Sequence, residues 1–134
     1  FIPLLSALKE SWFFNIPSVL AVCPKQSTPV YNASKAALRL FTHTLRYQLR
    51  HTRIKVCEII PPVTRTSLGN TALNNTAFNN ASAKQNSPSP EWVASQILSQ
   101  INIGKLQIVI GQARLGMMLH RWLPNLLHNM LIKG

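Results

Sequence analysis

Between residues 53 and 62 the chain reads RIKVCEIIPP, and few folds can accommodate such a run. Val56, Ile59 and Ile60 leave its end almost continuously apolar, the pattern of a strand covered on both faces rather than of one with a solvated side. Pro61 and Pro62 then stop it, because proline brings no N–H to a ladder. A strand of this kind needs helices above and below, and the sequence supplies them.

Upstream, residues from about 30 to 50 carry Ala33, Ala37, Leu40, Phe41, Leu45 and Leu49 at helical spacing. This predicts an apolar face, with Arg39, Thr42, His43, Arg46 and Arg50 directed elsewhere. Earlier still, WFFNIPSVLAV reads as a buried strand running into a loop. FIPLLSALKE has the spacing of a helix end joined in mid-element and does not read as a secretory signal. Downstream, Ser89 can cap a helix that has Pro90 in its first position, Glu91 in its first turn and Gly104 at its end. LQIVIG is a third strand, and QARLGMMLHRWLPNLLHNMLIKG is a basic amphipathic segment interrupted at Pro124. Strands alternating with helices predict a parallel sheet with right-handed crossovers. Three strands are few for such a sheet, so a part of it is expected to be absent.

Composition limits the function. With 134 residues, 46% of them apolar, the chain is of single-domain length and can bury a core. No apolar run approaches the roughly 18 residues of a spanning helix. Fourteen Lys and Arg oppose three acids, Glu10, Glu58 and Glu91, for a net charge of +11. The bases are scattered rather than clustered, and no nucleic-acid reading motif accompanies them. Cys23 and Cys57 lie among apolar residues without metal-ligand spacing, which fits a reduced, cytoplasmic pair better than a disulfide framework. His43, His51, His120 and His128 form no pair with ligand geometry, so no metal is expected. Residues from about 66 to 88 are rich in Asn, Ser, Thr and Ala and predict a long mobile loop.

One constellation carries chemistry. In PVYNASKAALRLF, Tyr31 and Lys35 stand four residues apart, hence about 40° apart around a helix and one turn along it. An ammonium held beside a phenol favours the phenolate and so suits the phenol to general acid–base work. Ser18, thirteen residues before Tyr31 at the end of the first strand, can bring a hydroxyl to the same crevice beyond the strand's carboxyl end.

With these residues the chain resembles the C-terminal half of a short-chain dehydrogenase/reductase. Tyr-x-x-x-Lys with a serine thirteen residues earlier is similar to that family's catalytic set, which implies catalytic roles for Ser18, Tyr31 and Lys35. By resemblance, Tyr31 exchanges a proton with a substrate hydroxyl or carbonyl, Ser18 holds that oxygen, and Lys35 assists Tyr31 and hydrogen-bonds the nicotinamide ribose. PPVTRT stands where the family has Pro-Gly-x-Val-x-Thr, which implies NAD or NADP contacts from Pro61, Pro62, Val63, Thr64 and Thr66 as well as from Tyr31 and Lys35. Pro62 replaces the glycine and Thr64 the aliphatic residue, while Pro17 and Val19 flank Ser18 where the family generally has Ser and Gly. IIPPVTRT, the PVY before ASKAALRLFTHTLRYQL, and IVIGQAR also resemble the oxidoreductase branch associated with D-alanine esterification of teichoic acids.

The implied architecture is the second half of a Rossmann-like, doubly wound sheet, residues 1–134 forming its catalytic and substrate part. The family's first strand with its Gly-rich turn, its cofactor-choosing residue, its Asn-Asn-Ala-Gly segment and its catalytic asparagine are not in the sequence. An isolated segment of this kind is expected to be inactive and prone to associate. Two function classes therefore stand: an NAD(P)-dependent oxidoreductase acting on a carbonyl or alcohol, or a non-catalytic module or truncated remnant that binds a partner or an anionic membrane surface through basic helices. The long helix is the expected homo-oligomer contact. The stripe Leu115, Met118, Leu119, Trp122, Leu126, Leu127, Met130 and Leu131 reads as core, as a dimer contact, or as a surface that lies on an anionic membrane beside Arg114, Arg121 and Lys133.

Overall fold

A computed structural model of the chain describes residues 2–65, 87–126 and 129. Helix α1 (Ile2–Ser6) leads into strand β1 (Ser11–Asn15), then a 3-10 turn (Val19–Ala21) and the long helix α2 (Pro29–Gln48). Strand β2 (Ile54–Ile60), helix α3 (Pro90–Asn102), strand β3 (Gln107–Val109) and helix α4 (Ala113–Trp122) follow. The three strands form one parallel sheet in the order β1-β2-β3.

The central strand β2 explains the architecture. From Val56 to Ile60 every residue is buried, and alternate side chains enter different cores. Ile54 and Val56 join Leu45 and Leu49 of α2, with Phe13 and Leu5 packed alongside. Cys57 and Ile59 turn the other way, to Val93, Ile108 and Ile110, with Trp12, Ile97 and Ile101 against them. The sheet is thus sandwiched between α2 and α3, as the apolar run required. With consecutive strand order, helices on opposite faces mean that only one of the two crossovers has the expected right-handed sense.

The caps of α3 follow the sequence signals. Ser89 Oγ accepts from the Trp92 N–H at 3.3 Å, and Pro90 occupies the first turn. At the other end Gly104 adopts a φ of +76°. Its N–H donates to Ile101 O at 2.8 Å, and that of Lys105 donates to Gln100 O at 3.2 Å, so two orphan carbonyls are satisfied.

Helix α2 corrects the expected apolar face. Leu45 and Leu49 are buried, but Ala33, Ala37, Leu40 and Phe41 are exposed, and Thr42, Arg39 and Arg46 reach the strands instead. The reason lies in hydrogen bonding. Thr42 Oγ1 donates to Leu38 O at 2.7 Å and accepts from Asn15 Nδ2 at 2.9 Å. Arg46 donates from Nε to Val56 O at 3.1 Å and from Nη2 to Leu106 O at 2.9 Å. Polar groups with partners can occupy an interior that a count of apolar residues would deny them.

Candidate active site

The first turn of α2 lies at the carboxyl edge of the sheet, where open α/β sheets hold their ligands. Its position is set by the loop before it. Thr28 Oγ1 donates to Asn32 Oδ1 at 3.1 Å, and Asn32 Nδ2 donates to Lys25 O at 2.7 Å. Asn32 is buried and clamps residues 25–28 to the helix beside Tyr31. Pro29 supplies a preset φ at the helix start. Farther along, the bond from Asn15 to Thr42 ties the last residue of β1 to the same helix.

Tyr31 and Lys35 share one face, both half-buried. Lys35 Nζ stands 5.7 Å from the centroid of the Tyr31 ring and donates to Ile16 O at 3.0 Å. The ammonium is thereby anchored to the backbone just past β1, two residues before Ser18. Ser18 is extended, with φ −155° and ψ 159°, and caps the 3-10 turn by accepting from the Leu20 N–H at 3.2 Å. An accepting cap uses a lone pair of the hydroxyl and leaves its hydrogen to be donated. The edge therefore carries a phenol and an ammonium on α2 and a hydroxyl donor at the turn after β1.

Pro61, Pro62, Val63 and Thr64 occupy the same edge one strand over. Thr64 Oγ1 donates back to Pro62 O at 2.9 Å, and Val63 is 48% exposed, its side chain free to meet a ligand. Pro62 packs against the turn after β3, where Gly111 has a φ of +59° and a Cβ would come 3.4 Å from the proline ring. Thr66 and most of the mobile loop expected over about 66–88, residues 66–86, lie outside the described residues.

Beneath the edge lies a cluster that the sequence reading did not single out. Glu58 is fully buried on the α2 side of β2, where it accepts from Arg39 Nε at 3.1 Å and from Gln107 Nε2 at 2.6 Å. His43 Nε2 lies 3.4 Å from the same carboxylate. The one acid of β2, facing an arginine-bearing helix, was the available signal. Both cysteines are free and buried, and burial pushes their thiols up from the ordinary range. Cys23 donates to Gly116 O at 3.4 Å and so joins the 3-10 turn to α4.

A doubly wound parallel sheet with this edge defines a class of dinucleotide-type α/β folds, and comparison narrows it. The family model for short chain dehydrogenases matches residues 2–77, more than half of the chain, and the chain belongs to that family. Over 68 residues it is 44% identical to a protein of Bacillus subtilis (strain 168) named "Uncharacterized oxidoreductase DltE", covering 51% of this chain and 27% of that protein. Among solved structures, a short chain dehydrogenase from Burkholderia cenocepacia J2315 in complex with NADP superposes with a TM-score of 0.81 at 21% identity, covering 98% of this chain and 52% of the other. The closed form of a serine dehydrogenase complexed with NADP+ gives 0.65 at 22% identity, over 81% of this chain and 47% of the other. At these identities the structural likeness establishes the fold. The chain spans about a quarter of its curated relative and about half of each of these structures.

Proposed function

We propose that these residues form the proton-transfer and substrate end of an NAD(P)-dependent oxidoreductase acting on a carbonyl or alcohol. The observation that carries this reading is the position of Lys35, its Nζ 5.7 Å from the Tyr31 ring centroid and tied to Ile16 O at the carboxyl edge. In this reading the Tyr31 hydroxyl gives a proton to, or takes one from, the substrate oxygen. Lys35 keeps its ammonium beside the ring that carries this hydroxyl. Ser18 donates to the same oxygen and fixes its position.

An ammonium suits the ribose hydroxyls of a nicotinamide nucleoside, and by resemblance the segment from Pro61 to Thr66 serves its carboxamide. One of the three Lys35 N–H groups is engaged by Ile16 O, which leaves two for that ribose. The nicotinamide, when bound, supplies or accepts the hydride. The five glycines of the sequence form no phosphate-cradling cluster. Phosphate binding is therefore assigned to the part of its relatives' length that this chain does not span.

The reading is tested by assaying NADH and NADPH oxidation with a panel of aldehydes and ketones. The assay uses both the 134-residue chain and the full reading frame that encodes it. The segment alone is expected to be silent and the full frame active; rapid turnover by the segment alone would contradict the division of labour proposed.

The exposed face of α2 favours a second, compatible role, pairing with another copy of the chain. Leu40 is 70% and Tyr47 66% exposed, beside exposed Ala33, Ala36, Ala37 and Phe41. Small residues permit close helix approach, and the large ones supply burial.

A further inference from the structure

Helix α4 presents two unlike sides. One is pressed against the 3-10 turn: Ala113 is buried, and a Cβ on Gly116 would come within 2.8 Å of Val19 Cγ2. The opposite side is bare, with Leu115 55%, Met118 56% and Trp122 71% exposed. Leu123 and Leu126, 50% and 48% exposed, extend the apolar surface beyond the helix end. Arg114 and Arg121, seven residues apart, fall within about 20° of one another on the flank of this stripe, and Arg114 is exposed while its Nε donates to Val109 O at 2.7 Å. Arg121 Cζ lies 5.8 Å over the Trp122 ring, its charge held beside the apolar rim. From residue 92 to 134 there is no Asp or Glu at all, whereas Lys105, Arg114, Arg121 and Lys133 are present.

We infer that α4 is a docking surface for an anionic lipid bilayer, lying flat with Leu115, Met118 and Trp122 among the acyl chains and Arg114 and Arg121 on the headgroups. Charge selects this occupant. A symmetric contact with a second copy would set Arg114 and Arg121 against their own counterparts, and a nucleic acid would leave the Leu–Met–Trp stripe in water. A bilayer with acidic headgroups satisfies both halves, with the arginine stems along the apolar surface and their heads at the phosphates. Ten residues make a helix of about 15 Å, half of a hydrocarbon core. No described helix is long and apolar enough to cross a membrane, so the contact lies in the interface. This inference is independent of Tyr31 chemistry.

Co-sedimentation of the 134-residue chain with vesicles tests it. Binding is expected to vesicles of phosphatidylglycerol mixed with phosphatidylcholine, at least tenfold tighter than to phosphatidylcholine alone, and weakened by salt. The pair Arg114→Gln, Arg121→Gln is expected to reduce that affinity about thirtyfold. Met118→Ser with Trp122→Ser is expected to reduce it at least tenfold with an unchanged circular dichroism spectrum. Trp122→Phe is expected to keep binding while losing the blue shift of tryptophan emission. Equal binding to both vesicle types, binding indifferent to these substitutions, or no binding would overturn the inference. So would a vesicle-free oligomer that Trp122→Ser dissolves, since another copy would then cover the face.

Discussion

Glu58 occupies the least forgiving position of any side chain described. A carboxylate without solvent is tolerable only while its partners hold it, and Arg39 is the charged partner, 3.1 Å away. Arg39→Ala is expected to destabilise the fold by about 3 kcal/mol, the lower end for breaking a buried pair, because the Gln107 amide still donates to the carboxylate. Urea denaturation checks this; a loss below about 1 kcal/mol, the worth of a surface pair, would show that Arg39 does not neutralise Glu58. The site and this cluster were unequally legible in the sequence. Tyr31 and Lys35 are one helical turn apart, so local geometry alone joins them. Glu58 meets residues 19 and 49 positions away, a relation created by the sheet register and by α2 packing. Asn32 was equally hidden, since a polar residue in a first turn looks like any solvated one until Lys25 and Thr28 are folded onto it.

At the scale of elements, Ser89, Pro90 and Gly104 marked both ends of α3 because capping chemistry is local. The faces of α2 were not legible, since they depend on which polar groups find partners across the sheet. Helix α4 depends on a contact of the same non-local kind. Its backbone can approach the 3-10 turn only because residue 116 has no side chain, and Cys23 bonds Gly116 O at 3.4 Å on that side. Gly116→Ala would gain about 1 kcal/mol of helix propensity yet drive a methyl into Val19 Cγ2, 2.8 Å away. Overpacking costs about 1–3 kcal/mol, so a net loss is expected, and Val19→Ala in the same chain should restore stability. A Gly116→Ala variant more stable than the parent in thermal melts would mean that α4 is not seated on this turn.

At the scale of the molecule, the described residues form a three-stranded sheet covered by helices on both faces, with a large bare face on α2. The fold class was legible because one apolar strand between two helical patterns permits little else. Its extent along the family's domain was legible from motifs rather than from packing. If α2 pairs with a second copy, Leu40→Glu should convert a dimer to a monomer in light scattering at micromolar concentration; a parent chain that is already monomeric there would contradict the pairing. The claim on which the functional account rests is that the Tyr31 hydroxyl moves the proton. The most direct measurement is kcat of the full reading frame carrying Tyr31→Phe, alongside its NAD(P)H affinity by fluorescence titration. Loss of the general acid–base is expected to lower kcat by about 10²–10⁴-fold with cofactor affinity little changed. A kcat within tenfold of the parent would contradict the account.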